Sequence, residues 1–373
     1  MIRRCDSLLD LIRDVTLVRI APRSAARDGA EIWAQLEMVL PGAMKDRVAL
    51  QMIEDAEAAG TLRPGGVIVE SSSGTMAEGL ARVGALKGYR VIVVSDPRLD
   101  EITKAKLQAL GAELEIVDQY EADGGWQSAR LRRLREVMDR IPHAVWTRQY
   151  DTPSNPGAYA HVAALVSGAL PRLRAIVATV GSGGSLCGMA RALRRTTQGV
   201  RVVAVDAVGS VIFHQPNQQR LQSGNGNSLI PGNVDYRVID EVHWVSDGEA
   251  FTACRELARR AGIFAGGSSG AAYIVASWIA QQFDARDQVA VIFPDRGDRY
   301  AATVYSDSYL DERGLTGQIA AADPIRLRYG IDVAERWSYA ELPQAGNGAY
   351  HAPAVSTSMD ISEAIGLVPV GAP

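Results

Sequence analysis

Short runs of Val, Ile and Ala without polar alternation recur along this chain, and helical patterns separate them. VIVE at 67–70 precedes a helix near 76–88, and RVIVVSD at 90–96 precedes one near 100–110. ELEIVD at 113–118 reads as another strand, and AVWTRQY at 144–150 as a strand leading to a helix near 157–169. AIVATV at 175–180 runs into a Gly/Ser loop and a helix near 185–196. RVVAVDAV at 201–208 and QVAVIFP at 288–294 complete the series, the latter as the last strand. Strands without a polar face, joined by helices, belong to parallel sheets covered on both sides, so the class is α/β. Residues 46–60 form one amphipathic helix: Val48, Ala49, Met52, Ile53 and Ala56 fall at helical spacing, and Gly60 marks its stop. Lys45 then stands at a loop-to-helix junction. After about residue 312 the rhythm fades. The closing stretch, rich in Ala, Gly, Pro and Ser, reads as a tail or draped segment.

A length of 373 residues predicts two lobes. The formal charge of −4 gives no reason to expect a nucleic-acid or anionic-membrane surface. The arginines at 130, 132, 133 and 135 read as a solvated helix face. Cys5, Cys187 and Cys254 are an odd, scattered set, which argues against a disulfide framework and fits a reducing compartment. No CxxC or HExxH occurs and the histidines are scattered, so no metal site is expected. No signal-peptide pattern opens the sequence and no apolar run reaches bilayer length, so the cytoplasm is the expected location.

Three small-residue loops follow strands and open helices. Gly181-Ser182-Gly183-Gly184-Ser185 lets the backbone approach an anion, with the positive end of a helix behind it. It lacks the lysine of a nucleotide-binding P-loop, and Leu186 replaces the third glycine of a dinucleotide motif. A tight structural turn is an equal alternative. Ser71 to Thr75 could receive a substrate carboxylate, but read alone it is an ordinary Ser/Thr-rich helix cap. Gly266 to Gly270 opens a helix over 271–283, and DRGDRY at 295–300 supplies either site charges or salt bridges between lobes.

In order and spacing, these pieces resemble the cysteine synthase and cystathionine β-synthase family of fold-type II pyridoxal-phosphate enzymes, from about residue 8 to 310. The segments that carry the likeness are LEMVLPGAMKDRVALQMIEDAEAAGTLRPG, ESSSGTMAEGLA, KLQALGAELEIVD, QYDTPSNP, GSGGS, GIFAGGSSGAA and FPDRGDRY. The resemblance implies two open, twisted, mostly parallel sheets with the active site between two lobes. It implies Lys45 as the Schiff-base lysine and Gly181, Ser182, Gly183, Gly184 and Ser185 as the phosphate cradle. Ser268 would hydrogen-bond the pyridine nitrogen. A neutral partner there disfavours a protonated ring and suits β-replacement better than transamination. Ser72, Ser73, Gly74 and Gln149 would take the substrate carboxylate. Thr75 stands where the family has an asparagine for the cofactor's 3′ oxygen, and Met76 where it has threonine.

The resemblance further implies a larger cofactor domain from residues 1–40 and 150–312, a smaller mobile domain from 41–149, an extension at 313–373, and a homodimer. The expected reaction is β-replacement on O-phosphoserine or O-acetylserine with sulfide or thiosulfate, giving cysteine or S-sulfocysteine. Arg220 is a candidate clamp for a phosphate leaving group. Two alternatives stay open: an amine nucleophile, as in diaminopropionate-type synthases, and a degenerate protein that binds without catalysing.

Overall fold

The computed structural model describes residues 4–23, 29–72, 74–121 and 125–343. Its strands are β1 (Leu17–Ile20), β2 (Glu31–Leu36), β3 (Val67–Ser71), β4 (Arg90–Ser95), β5 (Glu113–Ile116), β6 (Val145–Trp146), β7 (Leu173–Thr179), β8 (Arg201–Ala207), β9 (Glu241–Val245), β10 (Gln288–Phe293), β11 (Ile325–Arg326) and β12 (Ser338–Glu341). The helices are α1 (Leu8–Ile12), α2 (Lys45–Ala58), α3 (Thr75–Lys87), α4 (Glu101–Ala109), α5 (Gly125–Arg140), α6 (Ser154–Gly157), α7 (Ala160–Ala169), α8 (Gly184–Thr196), α9 (Asp247–Ala261), α10 (Gly267–Ala280) and α11 (Asp307–Glu312).

Eight strands form one sheet in the order β1-β2-β10-β7-β8-β9-β12-β11, and four form another in the order β5-β4-β3-β6. The small sheet is wholly parallel, as are the five central strands of the large one. Alternate residues of the large sheet bury against opposite layers. Ile176, Val202 and Ile292 meet Leu186, Met189 and Leu193 of α8 on one face. Val177, Val203 and Val291 meet Phe251, Leu257, Ile274 and Ile279 of α9 and α10 on the other. Both faces being covered, the strands need no polar side, which is why their sequences lack alternation.

The structure moves several sequence boundaries. QVAVIFP is not the last strand: β12 pairs antiparallel with β9, and β11 follows it at the sheet edge. Residues 313–343 therefore extend the large sheet, while 344–373 lie outside the described residues. The helix expected near 157–169 is two, α6 and α7. The strand expected at 144–150 is only two residues long, because the chain turns away at Arg148, whose φ is 52°. The helix expected over 271–283 starts at Gly267, which puts Ser268 in its first turn. Strand β9 escaped notice because its buried EVHWV carries Glu241 and His243 among the apolar residues.

Helix α2 packs on α3 and on α6. Its first turn is fixed by a buried ion pair. Arg47 donates from Nε to Glu37 Oε2 at 2.7 Å and from Nη2 to Oε1 at 3.0 Å. Its Nη1 reaches the Ile12 carbonyl at 2.5 Å, and Gln35 also donates to Glu37. Breaking such a pair from one side leaves an uncompensated buried charge. Arg47→Met should therefore cost about 3–5 kcal/mol of unfolding free energy in urea titrations, and Arg47→Met with Glu37→Leu should recover much of that loss. Equal losses in the single and double variants would show that the pair is not what matters.

Candidate active site

In a parallel sheet the helices that follow the strands start near the strands' carboxyl ends. Here β3, β7 and the segment after β9 and α9 lead into α3, α8 and α10, and all three helix starts border one cavity of about 330 Å³. No side chain caps any of them: the N-cap residues are Gly74, Gly183 and Gly266. The reading of Ser71 to Thr75 as an ordinary Ser/Thr cap is thus corrected for the described residues, where Ser72 Oγ accepts from Gly74 N at 3.3 Å and no serine or threonine side chain caps α3. Uncapped first turns leave N–H groups for an anion.

The loop before α8 admits only glycine at its key positions. A Cβ on Gly181 would sit 2.5 Å from the Gly224 carbonyl oxygen, and Gly183 has φ +80° with Val234 against it. Gly184 is pressed against the Asn155 side chain. Gly181, Ser182, Gly183 and Ser185 line the cavity, as do Ser72, Gly74, Thr75, Gln149, Arg220 and Ser268, whereas Gly184 lies behind the wall. Ser73 lies outside the described residues.

Lys45 is the first residue of α2, and its ammonium donates to Ser182 Oγ at 3.4 Å. Burial lowers its pKa from 10.5 to about 8. Its neighbours hold it in place. Asp46 accepts from Gly42 N at 2.7 Å and from Arg82 Nη1 at 3.0 Å. Met44 N donates to the Pro294 carbonyl at the end of β10, and Tyr159 donates to the Met44 carbonyl. The Lys-Asp-Arg triplet thus places one cavity-lining lysine before two residues that fix its position.

Some residues that shape the site carried no clear signal in the sequence. Asn155 Nδ2 donates to Ser182 Oγ at 3.0 Å and to the Gln149 carbonyl at 2.6 Å, joining two loops. Its only signal was its place in QYDTPSNP. Arg130 is a correction: it is not on a solvated face. Its side chain is 13% exposed, pairs with buried Asp96 at 2.9 Å and borders the cavity. Arg132 and Arg133 do face outward, pairing with Glu121, Glu115 and Glu136. A run of arginines conceals which one turns inward. Arg220 borders the cavity too, with its guanidinium on the Gly209 and Gln218 carbonyls, Asn217 Oδ1 and Ser228 Oγ. In DRGDRY, Asp295 accepts from the Tyr300 hydroxyl at 2.6 Å, and burial raises its pKa to about 6. Arg299 reaches across to Asp100 at 3.2 Å, linking the two sheets' sides of the cavity.

These residues fit pyridoxal phosphate. They offer a buried amine, an anion cradle too tight for side chains, and a hydroxyl at the start of α10. Among the described residues no cluster suits a metal ion, and no helix is long and apolar enough to cross a membrane.

Because burial depresses the Lys45 pKa, the unfolded chain binds the extra proton between about pH 8 and 10.5. Stability of the cofactor-free protein therefore rises through that window. Below pH 8 the buried ammonium costs at most about 3 kcal/mol, so Lys45→Met should be the more stable protein there, with the gap closing by pH 10.5. Urea midpoints of both proteins across pH 7–10 measure this. A constant difference would mean that Lys45 is not desolvated.

Comparison with known proteins agrees with this fit. Residues 9–295 match the family described as pyridoxal-phosphate dependent enzyme. The chain is 38% identical to N-(2-amino-2-carboxyethyl)-L-glutamate synthase of Cupriavidus metallidurans, over 82% of this chain and 91% of the relative. It is 38% identical to the synthase of the same name from Ralstonia nicotianae, over 85% and 96%. The crystal structure of an O-acetylserine dependent cystathionine β-synthase from Helicobacter pylori superposes with a TM-score of 0.75 at 28% identity, over 82% of this chain and all of that one. The two mostly parallel sheets with their flanking helices are those of cysteine synthase-like enzymes. The chain belongs to the pyridoxal-phosphate dependent enzyme family, within its β-replacement synthases, and uses pyridoxal phosphate as its cofactor.

Proposed function

We propose that this enzyme joins the β carbon of an O-activated L-serine to the nitrogen of a second amino acid. The observation that carries this reading is the set of guanidinium groups lining the cavity, two of them held there by carboxylates near the end of β4. Arg130, Arg220 and Arg299 line it besides Lys45, while the Ser72–Thr75 loop and Gln149 already provide for one carboxylate. Sulfide has no use for them. A phosphate leaving group or an amino-acid nucleophile brings the anions that guanidinium groups bind well. The names of the two relatives fit the same reading, since an N-(2-amino-2-carboxyethyl) group is a serine-derived unit attached to nitrogen. The first expectation, a sulfur nucleophile, becomes the second reading, which the likeness to a cystathionine β-synthase supports. A binding protein without catalysis gives way to an enzyme.

Bound pyridoxal phosphate supplies an electron sink that acidifies the amino acid's α C–H and lets its β substituent leave. The chain's own residues do the rest. The Gly181–Ser185 backbone and the start of α8 would hold the phosphate. Ser268 would give the pyridine nitrogen a neutral hydrogen bond, and Thr75 would face the 3′ oxygen. Ser72, Gly74 and Gln149 would orient the substrate carboxylate. Lys45, with a pKa near 8, is suited to take the α proton and return it at neutral to mildly basic pH. Arg130, held by Asp96 and lining the cavity, would receive a leaving phosphate.

A panel of nucleophiles with product mass analysis tests the reaction. L-Glutamate and other amino acids should give C–N products faster than sulfide gives cysteine or thiosulfate gives S-sulfocysteine. The reverse ranking would restore the sulfur reading. Arg130→Met should lower kcat/KM for O-phosphoserine by about tenfold to a hundredfold, the loss of a charge-assisted hydrogen bond, and affect O-acetylserine far less. Arg220→Ala should affect both donors alike, because its guanidinium holds the loop. A donor-selective Arg220 effect with a neutral Arg130 would exchange their roles.

A further inference from the structure

Strands β3 and β6 pair for only two residues, Ile68 with Val145 and Val69 with Trp146, and then part. Each leads to one arm of the carboxylate site: Ser71 at the end of β3 with Ser72 beyond it, and Gln149 beyond β6. The second arm passes through Arg148, a non-glycine residue at φ 52°, a conformation that costs on the order of 1 kcal/mol. Something must hold the two arms at a fixed separation where the ladder no longer does.

The side chain of Glu70 fills the gap. It is 2% exposed and meets four donors. Oε1 accepts from Ser71 N at 2.8 Å and from Trp146 Nε1 at 3.2 Å. Oε2 accepts from Thr147 Oγ1 at 2.6 Å and from Gln149 N at 3.3 Å, so it grips the turn on both sides of Arg148. The far side of Gln149 is held equally: its carbonyl accepts from Asn155 at 2.6 Å and Asn233 at 2.9 Å. Asn155 also donates to Ser182 Oγ, which accepts from the Lys45 ammonium. One carboxylate thus begins a continuous chain of hydrogen bonds from the β3 loop, through Gln149, to the reactive lysine.

We propose that Glu70 is a positioning residue that sets the separation of the two arms receiving the donor amino acid's carboxylate, acting through the backbone of Gln149. This rests on the reading that Ser72 and Gln149 bind that carboxylate. Substitution by glutamine is unusually diagnostic. An amide places its oxygen toward Ser71 N and Trp146 Nε1 and its nitrogen toward Thr147, whose hydroxyl can turn to accept. Only Gln149 N then faces a donor and loses its acceptor.

The test uses the holoenzyme and reads donor KM, nucleophile KM and the cofactor's visible absorbance. Gln149→Ala is the reference and should raise donor KM. Glu70→Gln should raise it about tenfold, leaving nucleophile KM and absorbance unchanged. In the double variant Glu70→Gln with Gln149→Ala, the two effects should not add, because both act on one arm. If Glu70→Gln does not fold, Thr147→Val removes the partner donor on Oε2 and should show the same non-additivity with Gln149→Ala. Unchanged donor KM in Gln149→Ala would remove the underlying site reading. A Gln149→Ala effect with a neutral Glu70→Gln, or with fully additive effects, would overturn the role of Glu70 alone.

Discussion

Parallel strands that end together force the helices behind them to begin together, and each helix start carries N–H groups that the helix cannot satisfy. In most helices a serine, threonine, aspartate or asparagine side chain meets that need. Here α1, α4, α9 and α11 are capped that way, by Ser7, Asp100, Ser246 and Ser306. The three helices around the cavity are not. Their glycine caps leave backbone donors at the border of one cavity, where they add to the side-chain cations that line it. Everything else in the site is arranged around that concentration of positive potential.

A lysine ammonium is out of place in such buried surroundings, and the pKa that desolvation lowers records the cost. The fold offsets that cost with hydrogen bonds and ion pairs on either side of Lys45. Asp46 ties the loop before Lys45 to α3, Arg47 and Glu37 tie the turn after it to the N-terminal segment, and Pro294 receives Met44 from the end of β10. Helix α2 is thereby anchored to elements of both sheets at its first turn. Stability given up at one side chain is regained at its neighbours, a usual pattern where function requires a strained or desolvated group.

The cavity divides chemically. One side, built on the starts of α8 and α10, is lined by glycines and serines and suits the cofactor. The other side carries Arg130, Gln149 and Arg299 and suits charged substrates. Arg130 with Asp96 and Arg299 with Asp100 each pair a cavity cation with a carboxylate near the end of β4. The small sheet therefore does more than cover the site, because its strand ends hold much of the charge that selects among reactants.

The hydrophobic pattern alone determined the α/β class, the parallel pairing of the strands and the amphipathic α2, because burial on both faces removes alternation and leaves a signature in the residues themselves; the division into two sheets came from the family resemblance. Composition marked the three small-residue loops and the helix pattern placed Lys45 at a junction, while their roles in a site came from the family resemblance; Gly181 and Gly183 sit at close backbone approaches or positive φ where a side chain would not fit. Arg130 was beyond reach: in sequence it is one of several neighbouring arginines, and only the packing of α5 against β3 and β4 turns it inward. Glu70 and Asn155 were invisible for a related reason. Their partners are Trp146, Thr147 and Gln149 for the one, and Gln149 and Ser182 for the other. A single polar residue in a strand or turn says nothing of what it will bind. That is decided when the chain brings distant donors around it, and only tertiary structure does so.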